Sequence, residues 1–256
     1  GATFDWVYTY TIAAPTYTAP SADGSAVACA TDAQSAPTVP TVTDDCGTAL
    51  TFTGPVISAD PACGGVKTYT YEFTDCTGAT FDWVYTYTIA APTYTAPAAD
   101  GSAVACATDA QSAPTVPTVT DDCGTALTFT GPVISADPAC GGVKTYTYEF
   151  TDCTGATFDW VYTYTIAVPT YTAPSADGSA VACATDAQSA PTVPTVTDDC
   201  GTALTFTGPV ISADPACGGV KTYTYEFTDC TGATFDWVYT YTIAAPTYTA
   251  PAADGS

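Results

Sequence analysis

From Phe4 to Ile12 the chain alternates. Phe4, Trp6, Tyr8, Tyr10 and Ile12 take every second position, with Thr3, Asp5, Val7, Thr9 and Thr11 between them. A period of two sustained this long predicts a strand with one aromatic, buried face; β-branched threonine suits the exposed side. Helix is excluded, because the apolar positions do not recur at three and four. The same alternation returns at Val66 to Thr74, with Tyr69, Tyr71 and Phe73 on one face and Thr68, Thr70 and Glu72 on the other. Asp75-Cys76-Thr77-Gly78 is a tight turn into the next strand.

Between these two strands the pattern predicts shorter pieces. Pro15 starts a segment whose Thr16 to Pro20 is extended. Ala22-Asp23-Gly24-Ser25 is a turn, with Asp-Gly at the left-handed position. Ala26 to Thr31 is a strand with Val27 and Cys29 on one face. Pro37 and Pro40 frame Thr38 to Thr43, an edge strand. Asp44 to Gly47 is a turn, and Thr48 to Thr53 is a strand with Leu50 and Phe52 facing in. Gly54-Pro55 breaks it before a short piece at Val56 to Ser58. Cys63 lies in the loop from Asp60 to Gly65. Some seven strands without a helix predict an all-β fold, an immunoglobulin-like β-sandwich.

The stretch GATFDWVYTYTIA opens the chain at Gly1 and returns at Gly78, Gly155 and Gly232, and the residues between copies repeat almost letter for letter. A near-identical period this long means an array of domains. Boundaries at proline give three complete repeats, 15–91, 92–168 and 169–245. Residues 1–14 are then the last strand of a preceding repeat and 246–256 the first strand of a following one, so the chain reads as a window cut from something longer. Only Ala90 and Ala91 separate Ile89 from Pro92. So short a linker, stiffened by proline, predicts a linear, rod-like array, with beads roughly 35 Å long at the rise of a strand.

Composition narrows the chemistry. Lys67, Lys144 and Lys221 are the only cations against a net charge of -23. Nucleic acid is excluded as a partner, because phosphate binding needs Lys and Arg. No apolar run approaches the roughly 20 residues that span a bilayer, so no membrane insertion is expected in this segment. The 12 cysteines, four per repeat with no histidine in the chain, predict disulfides and an extracellular, cell-surface location. Three connectivities exist within a repeat. Placing Cys29 on the second strand and Cys76 at the end of the sixth matches the B-to-F bridge of immunoglobulin domains. The predicted pairs are therefore Cys29–Cys76 and Cys46–Cys63, then Cys106–Cys153 and Cys123–Cys140, then Cys183–Cys230 and Cys200–Cys217.

The Thr-Asp-Asp-Cys-Gly run at 43–47, the Tyr-Thr-Tyr-Glu-Phe-Thr-Asp-Cys-Thr-Gly run at 69–78 and the Trp-Val-Tyr-Thr-Tyr-Thr-Ile run at 83–89 resemble the hyalin-repeat (HYR-like) modules. They are most similar to the tandem versions in very large surface proteins of Bacteroidetes-type bacteria. The resemblance covers the whole repeat in every copy. It implies immunoglobulin-like, extracellular modules used in adhesins, stalks or filaments. One position departs: the hyalin-type turn reads Asp-x-x-Gly-Asn, and Ala79 stands where the asparagine falls.

No catalytic constellation is present. Histidine is absent, no serine sits in a nucleophile elbow, and Asp44-Asp45 are neighbours on a turn with no pocket implied. The chain is therefore read as no enzyme. Calcium is the one candidate cofactor, with Asp23, Asp44, Asp45 and Asp75 as candidate ligands at turns; the alternative is that these aspartates only build turns. The leading functional reading is a structural segment of an extracellular filament, stalk or adhesin shaft, giving length, stiffness and protease resistance. Its partners are neighbouring repeats or copies of itself. The alternatives are a module that binds carbohydrate or other cells by avidity, and short subunits that polymerise by strand exchange.

Overall fold

The computed structural model describes residues 1–251. Each repeat builds one four-stranded sheet. In the first, β1 is Asp23–Val27, β2 Thr51–Ile57, β3 Gly65–Thr74 and β4 Thr80–Ile89, in the order β1-β4-β3-β2. The second has β5 (Asp100–Val104), β6 (Thr128–Ile134), β7 (Gly142–Thr151) and β8 (Thr157–Ile166), and the third has β9 (Asp177–Val181), β10 (Thr205–Ile211), β11 (Gly219–Thr228) and β12 (Thr234–Ile243), in equivalent orders. The chain packs as two compact units. One holds residues 1–98, 116–131 and 148–160; the other holds 99–115, 132–147 and 161 onward. The first repeat's sheet lies wholly in one unit and the third repeat's in the other.

The centre of the sheet is the β3–β4 hairpin, as the alternation predicts. Tyr69 pairs with Tyr85, Tyr71 with Trp83 and Phe73 with Phe81. Phe73 and Phe81 stack at 5.1 Å with their rings nearly parallel. Tyr69, Tyr71, Phe73, Trp83, Tyr87 and Ile89 are buried, together with Ala33 and Val42. Tyr17, Val27, Val39 and Leu50 pack onto this face from outside the hairpin, so the second layer of the sandwich is largely irregular chain. That layer is fastened by the polar tips of the core aromatics. The hydroxyl of Tyr69 donates to the Ala33 carbonyl at 2.9 Å, that of Tyr87 to Ser35 at 2.9 Å, and the Trp83 indole to Ser21 at 3.0 Å. Lys67 is also buried, held by Asp60 at 2.7 Å and by the Gln34 side-chain oxygen at 2.6 Å. A buried aromatic with a paired polar end joins two layers that share no ladder of backbone hydrogen bonds.

Several expectations are corrected. The predicted Asp23-Gly24 turn lies inside β1, which runs parallel to β4 with Gly24 opposite Thr86. Glycine is required there by space, because a Cβ would collide with the Thr86 carbonyl oxygen. Cys29 follows the strand and precedes a single 3-10 turn at Ala30–Ala33, where no helix was expected. Thr38 to Thr43 forms no strand, only a bridge from Thr43 to Ala49, next to one between Tyr17 and Asp44. Gly54-Pro55 does not end its strand: β2 continues through it by a register shift between Thr53 and Val56.

Residues 1–14 repeat the β4 stretch without its pairing. Their sequence is identical to 78–91, yet they form no strand. Trp6 is 81% exposed where Trp83 is 3% exposed. At the other three copies the KTYTYEFT stretch just before supplies the hairpin partner. Alternation makes a strand competent; pairing makes it a strand. At the other end, residues 244–251 carry no strand either, and the remainder of the predicted 246–256 strand lies outside the described residues.

Candidate functional site: the disulfide junction between repeats

Three of the four cysteines of a repeat sit two residues from a strand end. Cys29 lies two residues beyond Val27 and Cys63 two residues before Gly65, and both Val27 and Gly65 pair with Ile89. These two cysteines therefore occupy the end of the sheet from which the chain leaves the repeat. Cys76 follows Thr74, which pairs with Thr80 at the opposite end. Cys46 lies at that entry end too, because the neighbouring Asp45 amide donates to the Thr16 carbonyl at 2.8 Å, at the start of the repeat. A ten-residue strand spans about 30 Å, far more than the 4.4–6.8 Å between Cα atoms that a disulfide tolerates.

The bonds accordingly join successive repeats. Cys29 pairs with Cys123 and Cys63 with Cys153 in the first unit, with Cα–Cα distances of 5.6 and 5.3 Å. Cys106 pairs with Cys200 and Cys140 with Cys230 in the second, at the same two distances. The predicted pairs Cys29–Cys76, Cys46–Cys63, Cys106–Cys153, Cys123–Cys140, Cys183–Cys230 and Cys200–Cys217 are all overturned. Each joins an exit-end cysteine to an entry-end cysteine of its own repeat, across the length of the sheet. Cys46, Cys76, Cys183 and Cys217 are unpaired and exposed.

The local sequence explains how each sulfur is presented. On the exit side, the Asp32 carboxylate accepts the Cys29 amide at 3.1 Å and closes the 3-10 turn. Cys63 precedes Gly64, whose φ is +65° and where a Cβ would sit 2.8 Å from the linker residue Ala91. Ala90 in turn donates to the Val27 carbonyl at 3.0 Å. Both exit cysteines are thus braced on the two-residue linker. On the entry side, the Asp121 carboxylate accepts the amides of Cys123 and Thr125 at 3.0 and 2.8 Å. Asp122 accepts the Thr93 amide at 3.0 Å and its hydroxyl at 2.7 Å, tying the turn to the first residues of the repeat. Asp152 accepts from Thr154 and Ala156 around Cys153.

The candidate calcium ligands fall into this scheme. Asp44 and Asp75 line one groove, and Asp44, Asp45 and Cys46 offer ligand atoms within 4.8 Å of one another. Asp23 is not part of this group: it stands in β1 opposite Tyr85 and accepts the Gly24 amide at 2.7 Å. Asp44 accepts the Cys46 and Thr48 amides at 3.0 and 2.8 Å, and Asp45 accepts the Thr16 amide and hydroxyl at 3.1 and 2.9 Å. Those bonds hold the Asp45 carboxyl below the ordinary range, and the Thr77 hydroxyl does the same for Asp75. In the second and third repeats the sulfur of the trio is committed to a disulfide. The arrangement can fix cysteine-bearing turns, and its spare carboxylate oxygens are what remains for a cation.

The pattern of four cysteines and their turns is that of a known module. The description "HYR-like domain with 4 cysteines" matches residues 17–89, 94–166 and 171–243. The chain belongs to this family. No curated protein sequence matches the chain. Among solved structures, the HYR-like chain is similar over 90% of its length to the protocadherin GammaB4 extracellular domain, at 9% identity and a TM-score of 0.36, covering 49% of that chain. It is also similar to protocadherin gammaB7 EC3-6 in its cis-dimer structure, at 10% identity and a TM-score of 0.33, covering 73% of that chain. A third is human CDH23 EC21-23, at 9% identity and a TM-score of 0.30, covering all of that chain. The HYR-like chain thus spans about half the length of the first. No helix among the described residues is long and apolar enough to cross a membrane.

Proposed function

We propose that this HYR-like chain is a length of the shaft of an extracellular filament, stalk or adhesin, in which the repeats 15–91, 92–168 and 169–245 are structural modules. The observation that carries this reading is the double disulfide between successive repeats. A domain that only needed stabilising would close its cysteines on itself. Bridges between neighbours add nothing to a single binding surface, but they make the array covalently redundant. From Cys29 to Cys230 every peptide bond lies under at least one bridge. A single cut in that span leaves one covalent body. Disulfides of this density suit an oxidising, extracellular setting, and the charge of -23 keeps long polymers apart. The partners of each module are then its neighbours in the array.

Immunogold labelling of source cells, with antibody raised against one repeat, tests the role. Label spaced along extracellular fibres is the expected result. Label confined to the cell interior, or to a surface without fibres, would overturn it.

A further inference from the structure

Each repeat holds one lysine and one glutamine, and the chain has no arginine and no asparagine. The fold brings the single side-chain amine and the single side-chain amide of a repeat into contact. In the first repeat the Lys67 ammonium donates to the Gln34 side-chain oxygen at 2.6 Å and lies 2.7 Å from one Asp60 oxygen. The other Asp60 oxygen accepts from the Gln34 amide nitrogen at 3.1 Å, and the Ala30 carbonyl accepts from the same nitrogen at 2.8 Å. One carboxylate therefore touches both the amine and the amide nitrogen. The set recurs as Lys144, Gln111 and Asp137, and as Lys221, Gln188 and Asp214. There the amine lies 2.7 and 2.6 Å from the amide oxygen and 2.7 Å from the carboxylate in both. All three lysines are only 4% exposed. An ion pair with aspartate forms as readily at the surface, without the cost of burying an ammonium.

We infer that each lysine becomes joined to its glutamine by a side-chain amide bond, Lys67 to Gln34, Lys144 to Gln111 and Lys221 to Gln188, formed by the chain on itself with the aspartate as proton carrier. This goes beyond the shaft reading and does not depend on it. The structure shows the three groups as reactants, held at the distances that proton transfer requires. Fixing them in contact takes the place of a high concentration of either partner.

The step balances with no oxidant and no added reactant. The Lys67 ammonium gives a proton to the Asp60 oxygen beside it. The free amine attacks the Gln34 carbonyl carbon, and the Nζ–Cδ bond forms. Asp60 passes the proton through its other oxygen to the amide nitrogen, and the Cδ–Nε2 bond breaks. Ammonia leaves with the remaining surplus proton as ammonium, and Asp60 is a carboxylate again. Gln34 is exposed, so the ammonium has a way out. Gln34 rather than Asp60 is the acceptor. Hydrogen bonds from Lys67 and Gln34 hold the Asp60 carboxyl below its ordinary range, and a carboxylate anion resists an amine. The Gln34 carbonyl is neutral, and the ammonium polarises it. The bond ties the end of the 3-10 turn after Cys29 to the start of β3 after Cys63, across 33 positions, and reduction does not break it.

The test reads the mass of the full 256-residue chain, reduced and denatured. The expected mass falls below that of the sequence by three molecules of ammonia. Trypsin gives a second readout. The three lysines are its only sites, and it does not cut after an acylated lysine, so the denatured chain is expected to stay whole. Two variants locate the bond. Lys67→Arg keeps the buried cation; its deficit is expected to fall to two ammonia molecules, with one tryptic cut, after position 67. Asp60→Ala removes the proton carrier and is expected to give the same deficit and the same single cut, with the Cys29–Cys123 peptide confirming its fold. A mass equal to that of the sequence, or tryptic cutting at all three lysines, would overturn the inference. So would a deficit of water, which puts the bond on aspartate, or a folded Asp60→Ala chain that still lacks three ammonia molecules. The shaft reading survives each of these outcomes, because it stands on the disulfide junctions and is tested on fibres.

Discussion

A chain bridged between neighbours hardly lengthens when it unfolds. Consider pulling on the two termini until every sheet is lost. In the oxidised chain the shortest covalent route runs from Gly1 to Cys29, across to Cys123, on to Cys140, across to Cys230 and then to Ser256. That route contains about 70 residues of backbone, and at about 3.5 Å per extended residue it stretches to about 260 Å. After reduction the whole chain bears the load and reaches about 890 Å. Bridges closed within each repeat, Cys29 to Cys76 and its equivalents, would instead give about 400 Å. The three values are separable in an optical trap. The assay uses Ser at the four unpaired positions and Arg at the three lysines, so that no side-chain amide shortens the reduced chain, with a phosphine added under load. The expected record is a plateau near 260 Å that steps out towards 890 Å as bridges break. An oxidised plateau near 400 Å, or none before full length, would refute the junctions. In a longer array the route returns over the 13 residues between Cys140 and Cys153 at each repeat. The limit is then about 50 Å per repeat, against about 270 Å for 77 free residues.

Other outcomes can be checked by denaturant melts of the reduced chain. Gly24→Ala drives a Cβ into the Thr86 carbonyl and is expected to cost about 1–3 kcal/mol, as overpacking does. Little change in the urea midpoint would mean β1 does not run against β4. Tyr69→Phe removes the hydroxyl on the buried Ala33 carbonyl, with an expected loss of about 1–3 kcal/mol; Tyr10→Phe, at an exposed tyrosine, serves as the control. Acid is expected to loosen the entry turns. The Asp45 and Asp75 carboxyls are held below the ordinary range by Thr16 and Thr77, so their contribution is complete above about pH 3.9, the unfolded value, and is lost as pH falls through the lower folded values. Stability that stayed flat through that window, or rose, would contradict these bonds. Asp45→Asn is expected to shrink the acid-dependent loss.

Much of the fold was legible because the strongest signals are local. The 77-residue period, the alternation of β3 and β4 and the Asp-Cys-Thr-Gly turn between them each follow from residues close in sequence. Tyr69, Tyr71, Phe73, Trp83 and Ile89 fall in the core where the pattern places them. The second layer was less legible. Its chain is held by single side-chain bonds from Tyr69, Trp83 and Tyr87 rather than by a ladder, and such bonds leave no period in the sequence.

What the sequence by itself determined is the module: its length, its hairpin, its aromatic face and the turns that carry its cysteines. Tertiary structure decided everything that depends on which end of a sheet a residue reaches. Because β1 runs parallel to β4 and β3 antiparallel to it, Cys29 and Cys63 leave with the chain while Cys123 and Cys153, at the positions of Cys46 and Cys76, face the repeat before. Four cysteines in one repeat look like two internal pairs until those directions are known. Residues 1–14 make the same point, since a sequence that is a buried, paired strand at 80–89 is exposed and unpaired at 3–12. A strand's hydrogen bonds lie outside itself, so its sequence states a capacity and its neighbours decide the outcome.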